Sequence, residues 1–118
     1  MAQFAPGDDL VFQLESGFGL LRVLALDQLD DGRKVWHLLA YEEFFPDVES
    51  AEQALARPGA LGVRLPHMAL TERAFERTPA ALLGNRPVME EELEAYREWV
   101  AREGAVSDRS ALLMLGIR

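Results

Sequence analysis

Two glycine-containing turns divide the first third of the chain into three short apolar segments, and they limit the possible folds more than any other feature. Ser16-Gly17-Phe18-Gly19 separates residues 9–15 from residues 20–26, and Asp30-Asp31-Gly32 precedes residues 34–41. Glycine tolerates the positive φ angles of a tight reversal, and Asp-Gly is typical of hairpin turns. The pattern predicts three antiparallel strands joined as a meander.

The first two segments differ in how their apolar residues are arranged. In the first, Leu10, Phe12 and Leu14 alternate with residues that are mostly polar, namely Asp9, Gln13 and Glu15. This alternation predicts a half-buried strand, which we place at an edge of the sheet. The second segment is apolar on both faces except at Arg22, which predicts a central strand. Such a sheet needs an apolar cover, which the rest of the chain must supply.

The middle of the chain offers one helix and further strands. Residues 46–56 have the composition of a short helix, with Asp47 or Ser50 as its N-cap. Residues 60–65 and 68–75 are each compatible with a strand, so the sheet would contain three to five strands. The strands would either close into a small SH3-like barrel or remain a curled open sheet.

The C-terminal third has the composition of helices. Thr78 followed by Pro79 predicts a short helix ending before Gly84, and residues 89–103 predict a longer one. Ser107 is a candidate N-cap for a last helix. We therefore predict a single α+β domain over residues 1–118, in which an antiparallel meander of three to five strands is packed by C-terminal helices.

Composition excludes several classes of function and partner. The chain has no cysteine, and its N-terminus lacks the basic and apolar regions of a signal peptide, so we predict a cytoplasmic protein. No segment approaches the length of a membrane span, and we predict no membrane partner. The net charge of −8 would repel a phosphate backbone. We therefore predict no nucleic-acid partner.

No residue pattern indicates catalysis, a metal or a cofactor. His37 and His67 are the only histidines, and their spacing matches no metal-binding motif. The glycine turn at Gly17-Phe18-Gly19 lacks the third glycine of a dinucleotide-binding loop. His37 shares its strand parity with Leu39, which favours a structural histidine. We predict a non-catalytic protein without catalytic residues, metal ligands or cofactors.

One segment combines aromatic and acidic residues at the end of the third strand. Residues 41–47 have the sequence Tyr-Glu-Glu-Phe-Phe-Pro-Asp. Aromatic side chains beside acids can form an interface anchor with a charged rim. The alternative is that the phenylalanines enter the core and the acids face water, and the sequence favours this alternative.

The N-terminal strands resemble a known family. Pro6-Gly7-Asp8-Asp9-Leu10-Val11-Phe12-Gln13-Leu14, the glycine turn, and Gly19-Leu20-Leu21-Arg22-Val23-Leu24 are similar to the opening of the immunity protein 26 family of bacterial toxin systems. Leu83-Gly84-Asn85-Arg86-Pro87 is loosely similar to a later segment of that family. The resemblance implies a non-catalytic inhibitor that binds a toxin, and an acidic surface would suit a basic one.

The leading hypothesis is a protein-binding module that uses an acidic surface. The partner is a protein, which we expect to be basic, and a homodimer through the apolar stripe of the long helix stays open. The candidate partner-binding residues are Glu42, Glu43, Phe44, Asp47, Glu49 and Glu52.

Two other hypotheses belong to different classes of function. The first alternative is a small-molecule-binding or regulatory domain with a pocket between sheet and helices, in which Arg22 is the ligand-binding residue and meets an anion. The second is an enzyme that uses His37 with a nearby carboxylate, which requires a cleft where the base can reach a substrate proton.

Overall fold

The computed structural model describes residues 3–116, which contain one five-stranded antiparallel sheet. In chain order the strands are β1 (Asp8–Leu14), β2 (Gly17–Gln28), β3 (Lys34–Tyr41), β4 (Val63–Thr71) and β5 (Ala80–Asn85). The helices are α1 (Val48–Ala54), α2 (Glu72–Glu76), α3 (Glu94–Ala101) and α4 (Ala111–Leu115), with short 3₁₀ turns at Pro58–Ala60 and Glu90–Leu93. The strand order is β4-β3-β2-β1-β5. The predicted α+β fold with a meander and C-terminal helices is confirmed.

The two hairpin turns form for different reasons. Gly32 has a φ of +89°, as the Asp-Gly turn predicts, and Asp31 accepts a hydrogen bond from the backbone N–H of Arg33 at 3.0 Å. Gly17 and Gly19 lie inside β2 rather than in a turn with positive φ. Gly19 is opposite Phe12, and a Cβ at this position would lie 2.5 Å from the end of that ring. Glycine is required there by close approach, not by backbone conformation.

The sheet is buried on both faces. One face carries the larger apolar cluster, which includes Leu10, Phe12, Leu21 and Leu38 and packs against residues of α2 and α4. The other face carries a smaller cluster, which packs against α1 and the segment preceding α3. Burial on both faces explains why β3 is buried along nearly its whole length.

The prediction that the first strand lies at an edge is wrong. The run Ala80-Ala81-Leu82-Leu83, predicted to be helical after Thr78, instead forms β5 and pairs with β1, where Leu10 is opposite Leu82. The run is too short to form a stable helix alone, and pairing with an exposed strand satisfies its backbone groups. The edges of the sheet are therefore β4 and β5.

The SH3-like barrel is also not formed. Residues 60–75, which are compatible with one or two further strands, contain the single strand β4 and the start of α2. Within residues 3–116, β4 and β5 lie at opposite ends of the sheet without pairing to each other, so the sheet stays open.

The C-terminal elements are shorter than predicted, although their order is correct. The predicted helix over residues 89–103 begins as the 3₁₀ turn and continues as α3. The last helix begins at Ala111 with Ser110 as its N-cap, whereas Ser107 pairs by its backbone with Ala69 and Thr71 of β4. In the part of the chain that the structure describes, every helix is too short or too polar to span a bilayer.

Candidate functional site

Arg22 is fully buried in the central strand, as a cation inside an apolar segment. Its Nε donates to the carboxylate of Glu92 at 2.5 Å, and its Nη1 donates to Asp9 at 3.2 Å. The remaining N–H groups donate to the backbone carbonyls of Gly7, Arg86 and Pro87 at 2.8–3.1 Å. All five donors of the guanidinium are therefore engaged within the chain, which leaves none for an anionic ligand.

Asp9 connects Arg22 to a second cation. Arg86 donates to both oxygens of Asp9 at 2.8 and 3.0 Å, and it also donates to the hydroxyl of Tyr41 at 3.1 Å. The Asp9 carboxylate raises the pKa of Arg86, and burial raises the pKa of Tyr41. Burial of Glu92 opposes its ionisation, yet its hydrogen bonds from Arg22 keep its pKa below the ordinary value. This network attaches the segment before α3 to the sheet.

His37 lies on the same face of the sheet and is also fully buried. Its Nε2 lies 3.0 Å from Asp27, and its Nδ1 lies 2.9 Å from Nε2 of His67. The Tyr96 hydroxyl donates to Asp27 at 2.9 Å, and the Tyr96 and Trp99 rings meet the His37 ring edge-on. Both nitrogens of His37 are thus occupied, and the packing fits a structural histidine rather than a base that reaches substrate.

The donor order in this chain of side chains follows from the carboxylate. Because a carboxylate only accepts, we assign Nε2 of His37 as the donor to Asp27 and Nδ1 of His37 as the acceptor from His67. Burial lowers the pKa of His37, against the opposing charge of Asp27. Burial, together with His37 and Arg102, lowers the pKa of His67 to about 4. Both rings are therefore neutral near pH 7.

The aromatic and acidic segment at residues 41–47 divides between core and surface. Tyr41 is buried, and Phe45 packs against the smaller apolar cluster while its backbone pairs with Phe18. Phe44 is 46% exposed, with the guanidinium of Arg64 5.9 Å from its ring centre. Only Phe44 is therefore placed as an interface aromatic would be.

The predicted acidic residues also separate into two groups. Glu43 accepts a hydrogen bond from the backbone N–H of Gly62 at 2.9 Å, and Asp47 caps α1 by accepting from Ser50 at 2.7 Å. These two carboxylates therefore have structural roles. The other three, Glu42, Glu49 and Glu52, are exposed and form no ion pair within residues 3–116.

A second acidic surface, which sequence reasoning did not identify as a site, lies between β4 and α3. It is a groove of about 370 Å³. We call it the acidic groove; its apolar lining residues, Leu39, Val63, Pro66 and Ala95, are called its floor, and its acidic lining residues, Glu91, Glu92, Glu94 and Glu98, are called its rim. In the sequence, the glutamates before α3 are explained by the helix dipole alone, so they carry no signal of a groove.

The acidic groove adjoins part of the predicted surface. The backbone N–H of Glu42 donates to the carbonyl of Gly62, the residue before Val63. The apolar stripe of the helix predicted over residues 89–103, which could mediate a homodimer, is divided between the core and the surface. Leu93 and Tyr96 are half-buried against the sheet, whereas Met89 and Val100 are about half exposed.

Within the described range 3–116, no group of three or more histidine and carboxylate side chains is arranged to hold a metal ion. Comparisons with protein-family models, with curated proteins and with solved structures found no match. The resemblance to the immunity protein 26 family therefore stays a prediction.

Proposed function

We propose that this protein is a non-catalytic module that binds a basic segment of another protein in the acidic groove. The observation that carries the proposal is the combination of an apolar floor with a carboxylate rim in one concave surface. Apolar contacts at the floor supply binding energy, and charges at the rim orient the partner and select its sign.

The charges of the rim are available to a partner. Glu92 is paired with Arg22, but Glu91, Glu94 and Glu98 form no ion pair with any residue in the range 3–116. Arg97, which lies between Glu94 and Glu98 in the sequence of α3, pairs instead with Glu90 at 2.7 Å. It therefore does not neutralise the glutamates of the rim. With a net charge of −8, the whole chain attracts basic proteins over distance and repels acidic ones.

The resemblance to the immunity protein 26 family supports a narrower form of the proposal. In that form the basic partner is a toxin, and this chain inhibits it by occupying its surface. The predicted residues Glu42, Glu49 and Glu52 form a competing acidic surface, so the experiment must distinguish it from the groove.

Two double variants with the same change in charge make this distinction. Glu94→Lys/Glu98→Lys reverses the rim of the groove, and Glu49→Lys/Glu52→Lys reverses the exposed acids of α1. The probe is a fluorescent peptide with arginines flanking a central leucine, and a second peptide has glutamine in place of arginine. Binding is measured by fluorescence anisotropy at about 50 and about 300 mM NaCl.

The expected results separate the two surfaces. The arginine peptide binds better at low salt, and reversal of the groove weakens binding by about tenfold or more. Reversal on α1 weakens it by about threefold or less, because only the long-range attraction changes. Equal weakening by both variants, or equal binding of the glutamine peptide, would contradict the proposal.

A further inference from the structure

The outer side of β5 has no partner strand. β5 ends the sheet, so its inner side pairs with β1 and its outer side faces away from the other strands. Among residues 3–116, no backbone group outside the sheet forms a hydrogen bond with the main chain of residues 80–85. An edge of this kind presents free N–H and C=O groups, with which another extended strand can pair. The edge at β5 is therefore a candidate docking surface.

The opposite edge of the sheet is protected against such pairing. β4 contains a charge and a proline, Arg64 and Pro66. Its outer side is also partly covered, because Ser107 pairs by its backbone with Ala69 and Thr71 at 2.8 and 3.0 Å. Charged residues, prolines and covering segments keep an edge strand from pairing with other chains. β5, with the sequence Ala-Ala-Leu-Leu-Gly-Asn, contains neither a charge nor a proline. The comparison indicates that β5 is the edge that accepts a further strand.

The charges around β5 indicate which strand it accepts. Residues 77–89 contain two arginines and no Asp or Glu, although the whole chain has a net charge of −8. Both arginines are engaged, since Arg86 pairs with Asp9 at 2.8 Å and Arg77 donates to the carbonyl of Asp108 at 3.2 Å. A basic segment would find no carboxylate in this stretch to attract it, whereas a second copy of this chain would meet none that repels its own. The edge therefore suits an uncharged apolar strand, and β5 of a second copy is such a strand.

We propose that β5 pairs antiparallel with β5 of a second copy, so that the two five-stranded sheets form one continuous sheet. Leu82 sets the register, because its side chain is 52% exposed and it lies opposite Leu10 of the larger apolar cluster. Opposite residues of antiparallel strands share a face, so a two-fold axis through Leu82 brings the two Leu82 side chains together. A register centred on Leu83 would instead place Leu82 opposite Gly84, which has no side chain for it to contact.

Self-association at β5 is independent of the acidic groove, and salt distinguishes the two. Each copy carries a net charge of −8, so two copies repel each other at long range, and salt screens this repulsion. The dimer should therefore become tighter between about 50 and about 300 mM NaCl, whereas binding of a basic peptide in the groove weakens. Sedimentation equilibrium should show twice the 13.2 kDa of one chain as the protein concentration rises. The mass of a single chain at every concentration up to about 200 µM, in both salts, would overturn the proposal.

Two lysine variants at similarly exposed apolar residues locate the interface. Leu82→Lys places two ammonium groups opposite each other at the axis, so we expect dimerisation to weaken by about tenfold or more. Val100→Lys makes the same change in charge on α3, where the side chain is 47% exposed, and should leave the dissociation constant within about threefold. Neither change should unfold the chain, because both side chains are about half exposed. A dimer that Val100→Lys breaks and Leu82→Lys leaves intact would assign the interface to the apolar stripe of α3 and overturn the proposal.

An introduced cysteine tests the register. The chain has no cysteine, so Leu82→Cys gives each copy a single thiol. Opposite residues of antiparallel strands have Cα atoms about 4.5–5.5 Å apart, which is within the range that a disulfide spans. Under mild oxidation we expect Leu82→Cys to form a covalent dimer about tenfold faster than Val100→Cys, because the pairing holds the two thiols together. Equal rates in the two variants would show that the thiols meet only by random collision, and would refute this pairing.

Discussion

The two faces of the sheet are both buried, but different interactions hold their covers in place. On the face beneath α2 and α4 the buried cluster is apolar, with residues such as Leu38 and Met68 fully or almost fully buried. On the other face Asp9, Arg22 and His37 are buried beside the apolar residues and bind the segment before α3 and α3 itself. Apolar packing depends on shape and area, whereas polar networks depend on direction and protonation.

This difference affects how the acidic groove and the opposite face of the sheet should respond to substitutions. We call the face that carries Asp9, Arg22 and His37 the polar face, and the face beneath α2 and α4 the apolar face. The acidic groove is formed in part by α3, which is held on the polar face by hydrogen bonds and ion pairs. The geometry of the groove should therefore depend on charge and pH. A cavity lined by Phe4, Trp36 and Phe75 lies on the opposite face of the sheet, which is held by apolar packing. A substitution that nearly keeps the size of a side chain should therefore cost much stability on the polar face, where it removes hydrogen bonds, and little on the apolar face.

The largest effect should come from removing the buried guanidinium. Arg22→Met keeps a long side chain but removes the hydrogen bonds that Arg22 donates to Asp9, Glu92 and three backbone carbonyls. Breaking one partner of a buried ion pair costs about 3–5 kcal/mol of unfolding free energy, and we expect a loss in that range, measured by urea unfolding.

Arg33→Met is the matched control for that experiment. Arg33 also pairs with an aspartate, Asp31, but its side chain is 75% exposed, so its removal should change stability little. If both variants lost the same stability, the guanidinium of Arg22 would not be the element that secures the polar face.

Acidification should lower the free energy of unfolding by a smaller amount. An unfolded histidine has a pKa of about 6.5, whereas that of His67 in the fold is about 4. Between these values the unfolded chain binds a proton that the folded chain does not, so this contribution is fully present above about pH 6.5 and is lost as the pH falls toward 4. His67 is half-buried, so after allowance for solvent screening the loss should be about 1–2 kcal/mol.

The variant His67→Gln isolates this contribution. Its amide can donate to Nδ1 of His37 as His67 does, but it does not titrate. Urea unfolding at about pH 7 and about pH 4.5 should show a smaller loss in His67→Gln than in the unchanged protein. Identical losses would mean that protonation of other groups, and not of His67, weakens the fold in acid.

A third prediction concerns the hydroxyl that ties α3 to β2. Tyr96→Phe removes the hydrogen bond to Asp27 but keeps the ring against His37. We expect a loss of about 1 kcal/mol in urea unfolding, because a single hydrogen bond to a carboxylate is removed. An unchanged stability would show that packing of the ring, and not the hydroxyl, holds α3 to β2.

The features that the sequence predicts correctly depend on near neighbours. The Asp-Gly turn and the α1 cap at Asp47 each follow from a few adjacent residues. The sequence predicts a helix over Ala80-Ala81-Leu82-Leu83, the first four residues of β5, because these residues are compatible with either state, and pairing with β1 decides between them. Local propensity carries no information about that pairing.

The candidate sites were missed for a related reason. The floor of the acidic groove brings together Leu39, Val63 and Ala95, which are far apart in the sequence. The hydrogen bonds that connect Asp27, His37 and His67 likewise depend on the register of the three strands β2, β3 and β4. Each of these residues has an ordinary local explanation, and only the topology shows that they meet.

The smallest expected effect sharpens the comparison from the apolar face. Met68 is almost fully buried in the larger cluster, and Met68→Leu keeps nearly the same volume while changing the shape of the side chain. Since this face is held by packing and has no directional bond at Met68, the loss should be about 0.5 kcal/mol in urea unfolding. A loss approaching that of Arg22→Met would mean that the apolar face tolerates no repacking, and the two faces would then be equally specific despite their different chemistry.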